Sequence, residues 1–317
     1  MDKAYVTHTN VVNIFMPLVN LLASKYSYLH RAQVDENVRV TSFWFKGGYE
    51  NMNIWGKSSS DSHITYFVDD KVEFQLRTEL PLPEFIPIDD AVCQSTSVPD
   101  VDGYKPGAWG ISKKYLRPIS LSGHWIGDPC EFTQLGIYRY GYHYYRMLED
   151  KRSVPPEAFT SAGLLSSFTS CLAQAHNQGF GVYHELTYPF TTQTIVTDGQ
   201  SMQFFCFQLN TLQLWKNLDA NPFCNILWQS KPMQLYEMIE NGEVKGFNEQ
   251  AFQTILKFLL NAPCDRGVDL KPNLPDWETP GKRKVLINKK GDEPVEMPEI
   301  GRWQYPRHSV YFKNCVW

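Results

Sequence analysis

Residues 190–214, FTTQTIVTDGQSMQFFCFQLNTLQL, constrain the fold more than any other stretch. Two runs rich in β-branched and aromatic residues flank Asp198-Gly199. An Asp-Gly pair is a preferred two-residue hairpin turn, because both central positions take positive φ. The stretch is therefore predicted to be a β-hairpin. In its second arm Met202, Phe204, Cys206 and Gln208 face one way, and Gln203, Phe205, Phe207 and Leu209 the other. Both faces are largely apolar, which places the hairpin inside a sheet covered on both sides.

Around this centre the periodicities predict a mixed α/β (α+β) fold: a central mixed sheet with a prominent β-hairpin, packed helices and an extended C-terminal tail. Residues 10–29 place Val11, Ile14, Phe15, Leu18, Leu21 and Leu22 at the period of an amphipathic helix. Pro17 lacks an amide hydrogen, so the regular helix is expected to begin near it. VRVTSFWF (38–45) reads as a strand stopped by Gly47-Gly48. ITYFV (64–68) and VEFQL (72–76) flank Asp69-Asp70-Lys71 and suggest a second hairpin. The prolines of 80–90 predict an extended segment over the surface, and 91–126 is long enough to be an insertion or a binding surface. Residues 132–146 read as a strand crowded with tyrosines, whose rings either pack in the sheet or stack on bases.

Residues 155–178 form the clearest helix, opened by Pro155-Pro156 and stopped by Gly179. A strand-like run at 180–187 leads into the hairpin. After it come NILW (225–228), a short helix around 234–240, and a helix at 249–261 with Phe252, Ile255, Leu256 and Leu259 on one face. The expected division is a single body over 1–263 and a Pro-rich tail over 264–317. From Pro263 onward the chain carries seven prolines, and ten Lys or Arg against eight Asp or Glu.

The chemistry is mostly exclusion. The eight histidines are scattered, with no HxxxH or HExxH spacing, so no metal site is indicated. His184 and Glu185 are adjacent in the strand-like run and would face opposite ways. The seven cysteines form no CxxC pair and are odd in number, which argues against a disulfide framework. Cys206, in the ordered hairpin, has no nearby His or cationic group to activate it. No nucleophile elbow, phosphate loop or dinucleotide fingerprint occurs, and no cofactor is expected. The longest early apolar stretch, Val11–Ala23, is too short to span a membrane, and no secretory signal or organellar presequence is evident. Net charge is −4, so any nucleic-acid contact should be local. The best candidates are Lys282, Arg283, Lys284, Lys289 and Lys290 in GKRKVLINKKG, which contains no acidic residue. Such a cluster neutralises phosphates, and Trp277, Trp303, Tyr305, Tyr311, Phe312 and Trp317 interleave with it. A solvated charged loop is the plain alternative.

Several of these segments resemble one family, that of programmed cell death protein nine and its paralogue. The likeness is carried by Thr194–Leu212, by NILW, and by Gln234–Pro263. Within the last it rests on Tyr236-Glu237, Ile239-Glu240, Val244-Lys245-Gly246-Phe247-Asn248 and Phe258-Leu259-Leu260-Asn261. Weaker matches are Phe43-Trp44 with Lys46-Gly47, Glu84-Phe85-Ile86-Pro87 before Asp89, and Asp128-Pro129-Cys130. Together they cover residues 10–263, most strongly toward the end of that range. Three features depart from the family: the long region before the first helix is missing, the tail extends past the family's end, and 91–126 matches poorly. The resemblance implies a non-catalytic component of the mitochondrial large ribosomal subunit, bound to mitochondrial ribosomal proteins, to its paralogue as a heterodimer, and to ribosomal RNA. Two other expectations stand beside it. One is a soluble enzyme of unrecognised type, with the Tyr-rich segment and His143 or His184 in a cleft. The other is an adaptor that binds protein alone.

Overall fold

The computed structural model describes residues 3–46, 64–94, 119–121, 124, 128–140, 156–214, 221–273, 285–287 and 294–296. In chain order the elements are α1 (Lys3–Ala23), α2 (Ser27–Arg31), β1 (Gln33–Lys46), β2 (Ile64–Thr78), β3 (Ser120–Leu121), β4 (Phe132–Arg139) and α3 (Pro156–Asn177). They continue with β5 (Phe190–Thr197), β6 (Ser201–Leu209), β7 (Ile226–Gln229), β8 (Met233–Gln234), β9 (Met238–Glu240), β10 (Glu243–Lys245), α4 (Glu249–Leu260), β11 (Val285–Ile287) and β12 (Pro294–Glu296). The eight-stranded sheet runs β3-β1-β2-β4-β5-β6-β7, with β8 also on β6. All its pairings are antiparallel except β4 with β5, which α3 connects. The fold is thus the mixed α/β arrangement expected, with a mixed central sheet.

The β5–β6 hairpin lies within this sheet and is covered on both faces. Ile195, Met202 and Phe204 join Val11 and Phe15 of α1 and Ile255 and Leu259 of α4 in one core. On the other face Phe207 and Leu209 pack on Phe168, Cys171 and Leu172 of α3, and Val196 and Phe205 on Ala173. Burying each such large apolar side chain contributes about 1.5–3 kcal/mol. Contact with α3 is close: a Cβ on Gly163 would lie 2.3 Å from the Phe205 ring. The turn is wider than a two-residue one. Thr197 pairs with Met202, and among these turn residues only Gly199 has positive φ, at 97°. The Asp198 carboxylate accepts from the N–H groups of Gln200 (3.0 Å) and Ser201 (2.7 Å), which holds the longer loop.

Four local expectations fail, each for a physical reason. Asp69-Asp70-Lys71 makes no turn: β2 runs through it, and all three residues pair with β1, at Thr41, Val40 and Arg39. Arg39 meets Asp69 at 2.7 and 2.5 Å, and Ser166 donates to Asp70 at 2.6 Å, so the strand carries its polar residues with partners. Helix α1 starts well before Pro17 and continues past it. Pro17 sits on the exposed side, while Val11, Phe15 and Val19 anchor the helix to the core above and below it; Leu21, expected inward, is 65% exposed. Residues 180–187 are turns: His176 and Ala175 carbonyls take the N–H groups of Gly179 and Phe180, and the His184 N–H bonds back to Gly181 O. The expected helix at 234–240 is instead β8, a bend and β9. Asn241-Gly242, with φ of 54° and 82°, closes a β9–β10 hairpin. The segment 80–90, expected as extended chain over the surface, is irregular with bends and turns from 85 to 90, and Pro81 and Leu82 are buried.

Side chains of β4, β5 and α2 secure the end of α4. Gln193 donates to Phe258 O at 2.7 Å, Gln134 to Asn261 O at 2.8 Å, and the Tyr28 hydroxyl to Leu259 O at 2.9 Å. These bonds satisfy carbonyls that a helix C-terminus leaves open. Beyond it, Arg266 donates to Pro189 O at 2.6 Å, to Thr191 Oγ1 at 2.7 Å and to Leu82 O. The side chain of Arg77 is fully buried. It donates to Asp35 (2.5 Å), to Asp128, to Gln33 Oε1 (2.8 Å) and to Cys130 O (2.6 Å). Burial opposes its charge, and the bonds to both carboxylates more than offset it, so the guanidinium is held more firmly protonated than usual. No helix among the described residues is long and apolar enough to cross a membrane.

Three substitutions test this arrangement. Arg77→Ala leaves Asp128 buried and unpaired and should cost about 3–5 kcal/mol in urea denaturation. Arg39→Ala removes an exposed pair and should cost under about 1 kcal/mol, so equal losses would contradict the role given to burial. At the β5–β6 turn, Gly199→Ala forces an L-residue into positive φ and sets its Cβ 2.9 Å from Asn10 Nδ2. A loss of about 1–2 kcal/mol is expected, and an unchanged denaturation midpoint would contradict it.

Candidate interaction site

Lys282, Arg283, Lys284, Lys289 and Lys290 lie outside the described residues, as do the aromatic residues that interleave with them. Between the two basic groups, Val285–Ile287 form β11, paired with β12. The tyrosine-rich segment divides. Tyr138 and Tyr140 of the β4 region are 2% exposed and pack in the core, so neither can stack on a base. His143 and the later tyrosines lie outside the described residues.

The other chemical candidates are structural. His184 Nδ1 accepts from the Gly181 N–H at 2.9 Å inside a turn, and burial lowers its basicity. His176 stacks on Phe43 at 5.3 Å and bonds Phe180 O at 2.7 Å. Burial pushes the Cys206 thiol up to about 11, which leaves little thiolate at neutral pH. Among the described residues no group of three His, Cys, Asp or Glu could hold a metal ion.

A different feature stands out, and the sequence reading missed it. An apolar groove of about 420 Å³ opens between α1 and the β9–β10 hairpin. Ile14, Leu18 and Leu21 of α1 form one wall, and Ile239, Val244 and Phe247 the other, over a floor that includes Leu235. Large apolar side chains here face solvent: Ile239 is 60% exposed, Phe247 54% and Val244 51%. Among the described residues the β9–β10 hairpin pairs with no other strand, and all its residues are exposed. Its apolar side chains therefore add little to the core.

The β5–β6 turn holds both walls in place. On one side Thr7 of α1 donates to Asp198 O at 3.1 Å, and Asn10 lies against Gly199. On the other, Gln200 Nε2 donates to Tyr236 O (3.0 Å) and Glu237 O (2.7 Å), and the Leu235 N–H bonds Gln200 O at 2.8 Å. Asn248 then caps α4 by accepting from the Ala251 N–H at 3.2 Å. The groove rim is acidic. Glu237 and Glu249, both exposed, lie next in the chain to the groove-lining Tyr236 and near Phe252, whereas Glu240, Glu243 and Lys245 stand on the hairpin face opposite Ile239 and Val244, with Lys245 3.2 Å from Glu243. The one local signal of this site is Asn-Gly between MIE and EVK, a strong hairpin mark set in a helix-like context.

A contiguous exposed apolar groove with a charged rim is suited to macromolecular contact rather than to catalysis. The comparison with known families agrees. The model of the family described as "Mitochondrial 28S ribosomal protein S30 (PDCD9)" matches residues 2–263. That span holds all the helices described here, the whole central sheet and both groove walls. Its description names the 28S particle, whereas the resemblance read from the sequence implies the large subunit; the two share the mitochondrial ribosome. The chain belongs to this family of mitochondrial ribosomal proteins, which are structural and not enzymes.

Proposed function

We propose that this mitochondrial protein is a structural constituent of the large ribosomal subunit, supporting mitochondrial translation by holding neighbouring proteins and ribosomal RNA in place. The observation that carries the reading is the exposed apolar β9–β10 hairpin. It lies inside the family-matched span, and its side chains serve contact better than they serve the fold. The subunit assignment draws on Thr194–Leu212 and Gln234–Pro263, which form the β5–β6 hairpin and the stretch from β8 through α4. The paralogue is proposed as one neighbour, in a heterodimer. The body over 1–263 supplies protein contacts, and Lys282, Arg283, Lys284, Lys289 and Lys290 of the tail supply phosphate contact.

Sedimentation of mitochondrial lysate at low magnesium, which separates the two subunits, tests this reading. The protein is expected with the large subunit. Migration with the 28S particle would overturn the subunit assignment, and migration as a free chain would overturn the ribosomal reading itself. For the tail, Lys282→Glu with Arg283→Glu and Lys284→Glu should make association give way at lower salt, because fewer counterions are released on binding. An unchanged salt profile would favour an adaptor that binds protein alone.

A further inference from the structure

We infer that the groove between α1 and the β9–β10 hairpin receives a basic amphipathic segment of a neighbouring protein. Such a segment would set one or two large apolar side chains between Leu18 and Ile239 and lay Lys or Arg along the glutamate rim. The inference rests on the reading that the chain works inside an assembly, and it names the class of partner at one surface.

Three observations carry it. The first is that apolar exposure is concentrated on an element the core does not need. Ile239 and Val244 lie on a hairpin whose strands, among the described residues, pair only with each other. Solvent-facing residues of that kind, grouped beside an apolar cleft, mark a contact surface.

The second is preorganisation. Asn241-Gly242 fixes the hairpin turn, and Gly246 has φ of 63° where a Cβ would lie 2.4 Å from the Glu237 side chain. Gln200 ties the hairpin base to the β5–β6 turn. The groove is therefore formed before a partner arrives, which lowers the ordering cost of binding.

The third is charge. Glu237 and Glu249 stand beside the groove, and the far face of the hairpin adds Glu240 and Glu243 against the single Lys245. The α1 stretch from Asn10 to Ala23 has no charged residue to balance them. A surface of this sign repels phosphate and attracts Lys or Arg, so the partner is protein and not RNA. An acidic rim also selects against the many acidic segments that could otherwise fill an apolar cleft.

The test uses the full chain in purified ribosomal particles. A photo-cross-linking amino acid is placed at Val244, with a control at Leu165 on α3, across the sheet. The linked fragment is identified by mass spectrometry. The expected product from position 244 is one defined peptide of another ribosomal protein, with apolar residues flanked by Lys or Arg. Linkage to ribosomal RNA, to residues 282–290 of this same chain, to an acidic peptide, or to nothing would each overturn the inference. In the same particles Glu237→Lys with Glu249→Gln should cut the yield about tenfold, and Ile239→Ser should do so without changing charge. Both changes sit on exposed positions, so their melting curves should match that of the parent. Yields that do not respond to either variant would overturn it as well. Absence of the labelled chain from ribosomal particles would instead defeat the assembly reading, a result seen before any light is applied.

Discussion

The central constraint is that β5 and β6 are buried on both faces. A two-sided apolar hairpin cannot stand at the edge of a molecule. It needs strands on both flanks to take its backbone groups and helices on both faces to exclude water. The chain meets each need separately. Strand β4 pairs with β5 in parallel, which requires the long connection through α3. Helix α3 then covers one face, and α1 with α4 covers the other. Most of the order of the fold follows from this requirement.

Polar chemistry inside the molecule serves the same end. Gln134 and Gln193 stand on buried strands, yet they reach the carbonyls at the end of α4 and seat that helix on the sheet. Arg77 gathers Gln33, Asp35, Asp128 and Cys130 O around one guanidinium and locks irregular chain against β1 and β2. Removing only one member of such a set leaves a buried group without its partner, so these sites hold the arrangement in one form. None of them resembles a reactive centre: the buried groups are engaged with the backbone or with each other. This fits membership in a family of structural ribosomal proteins.

Legibility varied with the range of the signal. The hairpin, α3 and α4 were readable because their periodicity and end signals are local: Gly179 stops α3, and Asn248 starts α4. The errors arose where a local signal was outweighed by distant packing. Asp69-Asp70-Lys71 looks like a turn until Arg39 and Ser166 arrive as partners. Pro17 looks like a helix start until Val11 and Val19 are seen to hold both sides of it. At 234–240 the error was of another kind, because Asn241-Gly242 marked a hairpin that the reading passed over.

The sequence by itself determined the two-sided hairpin, the class of fold, the lack of a catalytic motif and the family likeness. These depend on residue type and short-range spacing, which the chain carries in full. The tertiary structure decided where the contact surface lies. Its walls are separated by more than two hundred residues, and they meet because Thr7 and Asn10 on one side and Gln200 on the other share the turn around Gly199. Exposure is the deciding physical quantity. Residue type alone does not separate Ile239 and Phe247 from core residues, and only the packed molecule leaves them in water.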